Sequence, residues 1–494
     1  MAAKFVFCII LQILLVFPEA LYSQDYESYK RQQQEVFQSY KLNTQEQWDE
    51  YRRKANEEFA EQIKKPWVSK RCEKPRPEPA SEPDIPPVIM PEFDIDIIED
   101  NSINVEINYP IFEDKPIQIV PIPYRPKPVE QTLVFTFYGT KGSVHFDTSQ
   151  KSSLNGCDEK AVSSFWKELS GEAYDNIVSD CQKIKENRDL CDWAYYRMTE
   201  KVANMIYDAR NERVVFHAWL LTQSGFSIRL GRENGNLHLL PGTNSLLFGK
   251  PFWKLRNGYY SLLDNSRISS MFIMDIQFPN SFPLRTRMFS NNSLEKNFAT
   301  SRNLSSKKYP EVFVNVSCDK NTLSLLQDIP VSATEGTNDT DYLMYAGMPL
   351  SEKARKDLYP ILCNQLAGKT ESEAVNILLD FVQTAFDYKT DGEVWGHERP
   401  FFPEETLYYP YSDCEDRAIL FVNLVQEILK MEVAFVSYPG HLAAAVHFKD
   451  NIQGDYFVVN GKRYLICDPT YINAPIGRTM PGMNNATAKV YLVH

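Results

Sequence analysis

Three short motifs near the C-terminus carry side chains that could perform thiol chemistry. They are SDCEDRA around Cys414, YPGHLAAAV around His441 and CDPTY around Asp468. A thiol attacks a carbonyl carbon as its thiolate, which requires a base, and an imidazole can be that base. A carboxylate behind the imidazole holds its tautomer and stabilises its charged form. Together these three residue types indicate nucleophilic acyl transfer.

The residues that follow Cys414 predict a buried or half-buried helix. Apolar residues within 419–429 recur mainly at intervals of three and four, which is the spacing of one helix face. Ser412 and Asp413 are candidate N-caps, and Glu415 could complete a capping box with Ser412. In the first helical turn, free backbone N–H groups and the helix dipole favour a thiolate and could also bind an oxyanion.

The intervals from Cys414 to His441 and from His441 to Asp468 are equal. Each fits a segment that turns and returns as a strand, so we predict His441 as the base and Asp468 as its carboxylate partner. His447 lies further along the same strand and is predicted to be structural, while alternation directs Cys467 to the opposite face. Non-catalytic explanations remain open. Cys414 and Cys467 could form a disulfide, His441 could be a packed strand residue, and Asp468 could only form a turn before proline.

A metal site built from Asp413, Glu415, Asp416 and a histidine is disfavoured, because adjacent residues on a helix do not converge on one ion. Thiol, imidazole and carboxylate suffice for acyl transfer. We therefore predict neither a metal nor a cofactor.

The order of Cys-helix, His-strand and Asp-strand resembles the transglutaminase-like superfamily of papain-like cysteine folds, in its exported bacterial type. The resemblance covers about residues 370 to 475. It implies an α+β core in which Cys414 is the nucleophile, His441 the general base and acid, and Asp468 the orienting carboxylate. Members of the family include crosslinkers, peptidases, deamidases and inactive binding domains, so the reaction stays open.

The segment before the Cys414 helix, YKTDGEVWGHERPFFPEETLYYPY, is rich in aromatic residues. Aromatic side chains on a loop beside a nucleophile predict a cleft for an extended peptide. The candidate substrate-binding residues are Trp395, Tyr409 and Tyr411. The alternative is that these rings only pack the loop onto the core.

The bulk properties predict an exported protein, and the resemblance implies a peptide or protein substrate, which could be a cell-wall peptide. Residues 1–23 combine one lysine, an apolar run and small residues, as in a secretory signal peptide. No later segment is apolar enough to span a membrane, so we predict a periplasmic or secreted location. With 53 basic and 65 acidic residues, a net charge of -12 argues against nucleic acid as a partner.

The composition divides the rest of the chain into four parts. Residues 24–69 predict a helical arm, which either binds a partner or lies against the body. Thirteen of the thirty prolines fall in the extended segment 70–130, where edge strands or linkers are expected. Residues 131–345 predict an α+β domain, and 346–494 the transglutaminase-like catalytic domain.

The order helix, helix, strand, strand recurs in both globular parts and suggests a duplication. It aligns the GNLH motif with GHLA, so that Asn236 takes the place of His441, and the first copy is predicted to lack both thiol and imidazole. The alternative is two unrelated segments that share an Asn-Gly turn. The leading functional prediction is a thiol hydrolase or acyltransferase acting on a peptide, isopeptide or glutamine amide bond. A catalytically silent module that binds peptide or protein is the alternative.

Overall fold

The computed structural model describes residues 46–78, 86–91 and 131–493, apart from 256–257, 265, 267, 288–291, 335–336 and 338, together with the backbone of 102–104. The predicted signal peptide and most of the proline-rich segment lie outside the described residues. The described chain mixes helices with mainly antiparallel sheets, which confirms the α+β class. None of its helices has the length and apolar character needed to cross a membrane.

Helices occur in both halves of the described chain. Their bounds are α1 (46–63), α2 (Glu159–Leu169), α3 (Asp175–Asn187), α4 (Asp192–Ile206), α5 (Arg210–Gln223), α6 (Lys320–Asp328), α7 (Tyr342–Ala346), α8 (Glu352–Leu366), α9 (Glu371–Thr384), α10 (Asp391–Val394), α11 (Pro403–Tyr408) and α12 (Cys414–Leu424).

The strands are short, as is typical of antiparallel sheets. Their bounds are β1 (Val68–Arg71), β2 (Ser102–Asn104), β3 (Thr132–Phe137), β4 (Thr140–His145), β5 (Ile228–Glu233), β6 (Asn236–Thr243), β7 (Phe252–Leu255), β8 (Gly258–Ser261), β9 (Ser270–Ile273), β10 (Arg302–Ser305), β11 (Phe313–Val316), β12 (Asp387–Tyr388), β13 (Tyr411–Ser412), β14 (Val433–Tyr438), β15 (His441–Val446), β16 (Tyr456–Val459), β17 (Lys462–Cys467) and β18 (Lys489–Val493).

Two six-stranded sheets share the order of five strands. The first sheet is ordered β1-β9-β5-β6-β8-β7, and the second β18-β14-β15-β17-β16-β2. Each has a helix before its central hairpin, α5 before β5 and β6, and α12 before β14 and β15. The added edge strands, β1 and β2, lie at opposite ends of the shared order. This arrangement supports the hypothesis of a duplication.

The N-terminal helix α1 is packed against the body by one face. The Phe59 ring lies 5.2 Å from the ring of Trp166 and 5.2 Å from that of Phe278. Asn56 is buried between Trp166 and Gln223, and accepts from the indole N–H at 3.0 Å. Burial of these aromatic and polar groups fixes the helix in place. The described part of the predicted arm is therefore part of the globular body.

Helix α12 is the central element of the C-terminal half. All eleven of its residues are buried, which confirms the prediction of a buried helix. It contacts β15, α9 and α11, and its first residue is Cys414. This arrangement positions the candidate site.

Candidate active site

Cys414 is the first residue of α12, so its thiol lies in the first turn as the sequence predicted. The predicted capping box is wrong by one residue. Asp413 precedes the helix, and its backbone N–H donates to Asp416 Oδ2 at 3.3 Å. Ser412 lies in β13 instead, where its hydroxyl accepts from Arg417 Nε at 3.1 Å. Glu415 is thereby free of the capping role.

His441 and Asp468 are brought together by the second sheet. His441 opens β15 after a two-residue turn in which Gly440 has a φ of 73°, a conformation that favours glycine. Strand β17 runs antiparallel to β15, so its C-terminal end reaches the start of that strand. His441 Nε2 lies 2.8 Å from Asp468 Oδ2, which is the geometry of an oriented imidazole.

Asp468 is itself held by a tight turn. Its Oδ1 accepts backbone N–H groups from Thr470 at 2.8 Å and from Tyr471 at 3.2 Å. The other carboxylate oxygen, Oδ2, is therefore available to bond His441. The carboxylate is only 2% exposed, so water does not compete for these bonds.

The remaining ring nitrogen of His441 is available to a thiol. Its Nδ1 is buried and has no hydrogen-bond partner among the described residues. Burial disfavours the imidazolium, but Asp468 and then the neighbouring Cys414 raise the pKa of His441 to about 10. In this structure the Cys414 thiol donates to Glu415 Oε2 at 3.1 Å. The three predicted residues therefore lie together, with the thiol turned toward a carboxylate.

The structure also bears on the role predicted for His447 and on the alternative of a disulfide between Cys414 and Cys467. His447 Nδ1 donates to the carbonyl of Arg463 at 2.8 Å, and its ring packs on Tyr464. This contact is structural, as predicted. Cys467 and Cys414 are both free thiols, so the structure contains no disulfide between them.

Two buried residues that the sequence analysis missed support the site from α9 and α12. The Gln383 side-chain amide donates to the carbonyls of Asp468, Tyr471 and Ala474, at 3.0, 2.7 and 3.1 Å. Arg417 donates to the carbonyls of Gln383 and Phe386. Gln383 thus holds the turn that carries Asp468, and Arg417 holds the end of α9.

The predicted aromatic residues line one small cavity. Trp395 and Tyr409 pack edge-to-face with centroids 5.2 Å apart, and the guanidinium of Arg399 lies 4.3 Å from the Trp395 ring. Tyr411 borders the same cavity of about 120 Å³, and the Lys389 ammonium lies 4.0 Å from its ring centroid. All three predicted aromatics are half-buried, so they both pack the loop and face a space.

Carboxylates converge beside the thiol in a way that the sequence analysis did not predict. Asp391, Glu398 and Glu415 each place an oxygen within 4.8 Å of the others. Two of the three come from outside α12, so the argument that adjacent helical residues diverge does not apply to them. These residues could hold a cation.

In the first globular part of the chain, a polar side chain lies at the position that corresponds to His441. Asn236 opens β6 as His441 opens β15. However, His238 Nδ1 lies 3.0 Å from Asp264 Oδ2, so the prediction that this half lacks an imidazole is wrong. Arg210 begins α5, where α12 has Cys414, and donates to the same Asp264 oxygen at 3.0 Å. The Arg210–Asp264 ion pair therefore lies at the start of α5, the position that corresponds to the Cys414 thiol in α12.

Comparison with known proteins gave no match, either to a protein-family model or to a curated protein.

Brief labelling with iodoacetamide at about pH 6 is expected to modify Cys414 before the exposed Cys363. Ordinary thiols are almost fully protonated there, since their pKa is about 8.5. The pKa of His441 is raised to about 10, so a cationic imidazole lies beside the cysteine at this pH, and a neighbouring cation makes a thiol more reactive. The ratio of the two rates, measured by peptide mapping, should fall as the pH rises and exposed thiols ionise.

His441→Gln is the control for this experiment. It should remove the advantage of Cys414 and leave the rate at Cys363 unchanged. If Cys363 reacts first at every pH, His441 does not activate the thiol.

Proposed function

We propose that this protein is an exported, transglutaminase-like cysteine enzyme that attacks a peptide, isopeptide or glutamine amide carbonyl. The observation that carries the proposal is the orientation of His441. Its Nε2 is bonded to Asp468 while its Nδ1 is unpartnered beside Cys414. A buried imidazole held in this way can take a proton from the thiol and pass it to a leaving group.

The reaction proceeds through a thioester. His441 Nδ1 holds the proton that it has taken from the Cys414 thiol while the sulfur bonds to the carbonyl carbon, and backbone N–H groups at the start of α12 stabilise the oxyanion. Collapse expels the amine, which receives the proton from His441. Water or a second amine then attacks the thioester and His441 reverses its role. Asp468 stabilises the imidazolium throughout.

The substrate is a peptide or protein, and cell-wall peptide is one candidate. Hydrolysis is preferred over crosslinking, because the catalytic unit is compact and an export signal is predicted, whereas transfer to an amine requires that water be excluded from the thioester. The predicted export signal assigns the reaction to the periplasm or the exterior. No cofactor is needed for these steps.

The test is a peptide library incubated with the mature chain, with and without a primary amine. Ammonia release, chain cleavage and amine incorporation are followed separately, with Cys414→Ala as the blank. Ammonia with incorporation identifies a transglutaminase, ammonia alone a deamidase, and cleavage a peptidase. We expect a hydrolytic signal that depends on Cys414. Equal inertness of both proteins would contradict the proposal.

One observation favours a second candidate, a catalytically silent binding module. Cys414 is only 5% exposed and donates to Glu415 instead of His441. A binding module could keep its thiol in this state, because it does not need a reactive one. This candidate is favoured if wild type and Cys414→Ala bind the same peptide equally while neither modifies it.

Trp395→Ala is expected to raise KM about tenfold or more with a smaller change in kcat. The ring lines a cavity that Ser412 and Asp416, near the start of α12, also border, and loss of an aromatic contact with a peptide costs about 1–3 kcal/mol. Initial rates over a range of peptide concentrations separate the two constants. Trp193→Ala is the matched control, since Trp193 is also half-buried and stacks on Tyr196 in the other half. An equal rise of KM in both variants would mean that the effect comes from a general loosening of the structure and not from a lost substrate contact.

A further inference from the structure

The chain that leaves β1 joins the two edges of the first sheet, and a cavity lies beside this junction. Strand β1 forms one edge of the sheet and β7 the other. The Cys72 N–H donates to the carbonyl of Ser269, and the Glu73 N–H donates to that of Phe252 in β7, both at 2.9 Å. The cavity has a volume of about 620 Å³. A space of this size at the mouth of a closing sheet is typical of a ligand site.

The wall of this cavity combines apolar residues with charged ones. Its apolar part comes from three separate segments and includes Pro75, Pro251 and Ile268. Ile268 and Cys72 also pack on an apolar cluster of the first sheet that includes Trp253. This wall is therefore continuous with a packed core, which keeps its shape when a ligand binds. We call this space the edge cavity.

Three cations border the edge cavity, and none of them pairs with an acid among the described residues. They are Arg71, Lys74 and Lys250. The lining also contains two acids, Glu73 and Asp264, but Asp264 already accepts from Arg210 and bonds the ring of His238. Positive charge is therefore in excess at this place, in a chain whose net charge is -12. Such a local excess attracts an anionic ligand.

The chemistry of the edge cavity favours one carboxylate attached to an apolar body. A guanidinium such as that of Arg71 can bind a carboxylate through two parallel N–H donors, and the apolar wall can bury aliphatic side chains. Glu73 repels a doubly charged phosphate more strongly than a singly charged carboxylate. The described lining contains no aromatic ring on which a nucleobase could stack. The C-terminal end of a short apolar peptide meets all of these requirements.

We propose that the edge cavity binds the free C-terminal carboxylate of a short apolar peptide, at a site separate from Cys414. The carboxylate contacts the three cations, and the last side chains of the peptide lie against the apolar wall. Asp264 borders this cavity and follows β8, just as Asp468 follows β17 in the other sheet. The first globular part thus binds peptide where the second carries the candidate triad. Binding requires neither Cys414 nor His441, so it does not depend on the proposed function.

The first experiment titrates the peptide N-acetyl-Ala-Leu-Ala by calorimetry into the full mature chain that carries Cys414→Ala, which leaves the peptide unchanged. We expect one site with a Kd on the order of 10⁻⁵ to 10⁻⁴ M, as for a ligand of about twenty heavy atoms. The same peptide with a C-terminal amide should bind at least about tenfold more weakly, because it lacks the charge. Raising NaCl from about 0.05 to about 0.5 M should weaken binding of the acid form, because salt screens exposed charges.

Substitutions of the cations show whether they contact the carboxylate. Arg71→Gln and Lys250→Gln, each in the Cys414→Ala chain, should weaken binding of the acid peptide about three- to tenfold and leave that of the amide unchanged. Lys254→Gln is the matched control, since Lys254 is an exposed cation of β7 that contacts the Tyr259 ring and not the cavity. Circular dichroism melts establish that each variant is folded. Equal affinity for acid and amide, or equal affinity in all variants, would overturn the proposal.

Cys72 tests the location of the bound peptide. Its half-buried thiol borders the edge cavity, so a peptide bound there should shield it from iodoacetamide. At about ten times Kd we expect about tenfold slower labelling of Cys72 and an unchanged rate at the exposed Cys363, both measured by peptide mapping. Binding of the acid peptide without protection of Cys72 would place the ligand elsewhere and overturn the proposal. Inorganic phosphate that binds as tightly and protects Cys72 equally would also overturn it, because the cavity would then recognise any anion.

Discussion

Cys414→Ala is expected to abolish covalent turnover, a fall of about 10⁵-fold or more, and His441→Ala should cost nearly as much. Both residues serve the same step, so their effects are of similar size and do not add. Asp468→Asn should cost less, about 10²- to 10⁴-fold, because it orients and stabilises the imidazolium without reacting. The measurement is kcat/KM on the best peptide found in the library.

The chain offers matched controls for this series. His447→Gln changes a half-buried histidine on the same side of the sheet that bonds a carbonyl, and Asp450→Asn changes an exposed acid. Both should retain turnover within about threefold, as for surface substitutions worth about 0.5 kcal/mol. A His447→Gln loss as large as that of His441→Ala would show that the base has been assigned to the wrong histidine.

Gln383→Leu is expected to reduce the free energy of unfolding by about 2–4 kcal/mol and to lower kcat. Its amide donates to three buried carbonyls in the turn that carries Asp468. Two of these carbonyls also accept a backbone N–H, so the variant weakens their bonding and leaves mainly the third unsatisfied, at about 1–3 kcal/mol for such an acceptor. Release of the turn misplaces Asp468, so kcat should fall with little change in KM at a temperature where the variant is folded. Urea denaturation and initial rates provide the two measurements.

Gln327→Leu is the control for Gln383. Gln327 is exposed and donates to the Tyr409 hydroxyl at 2.6 Å, so its loss should change stability by about 0.5 kcal/mol or less. A destabilised Gln383→Leu variant with normal kcat would mean that the residue supports the fold and not the orientation of Asp468.

The start of α12 illustrates how far local sequence reaches. Apolar spacing predicted a buried helix beginning near Cys414, and the helix begins there. Asp413, one of the two predicted N-cap candidates, is the N-cap, but the capping box was misassigned because Ser412 pairs with Tyr388 in the short β12–β13 ladder. That pairing involves a residue far away in the chain, so no local signal reports it. Helix starts are therefore predictable to within about one or two residues.

The comparison of the two globular parts also shows that local sequence does not report contacts between distant residues. Helix and strand order along the chain suggested a duplication, and the two sheets share the order of five strands. The alignment placed Asn236 correctly at the start of β6. It missed the imidazole of His238, because that residue reaches Asp264 from a different position along the strand.

The sequence alone determined the class of fold, the helix that carries Cys414 and the residue types of the candidate site, since these follow from periodicity and caps within a few residues. Tertiary structure alone decided that Gln383 holds the Asp468 turn, that the Cys414 thiol faces Glu415, and that Asp391 and Glu398 meet Glu415. Such contacts join residues from separate elements, and only the packing of those elements around one core brings their side chains within bonding distance.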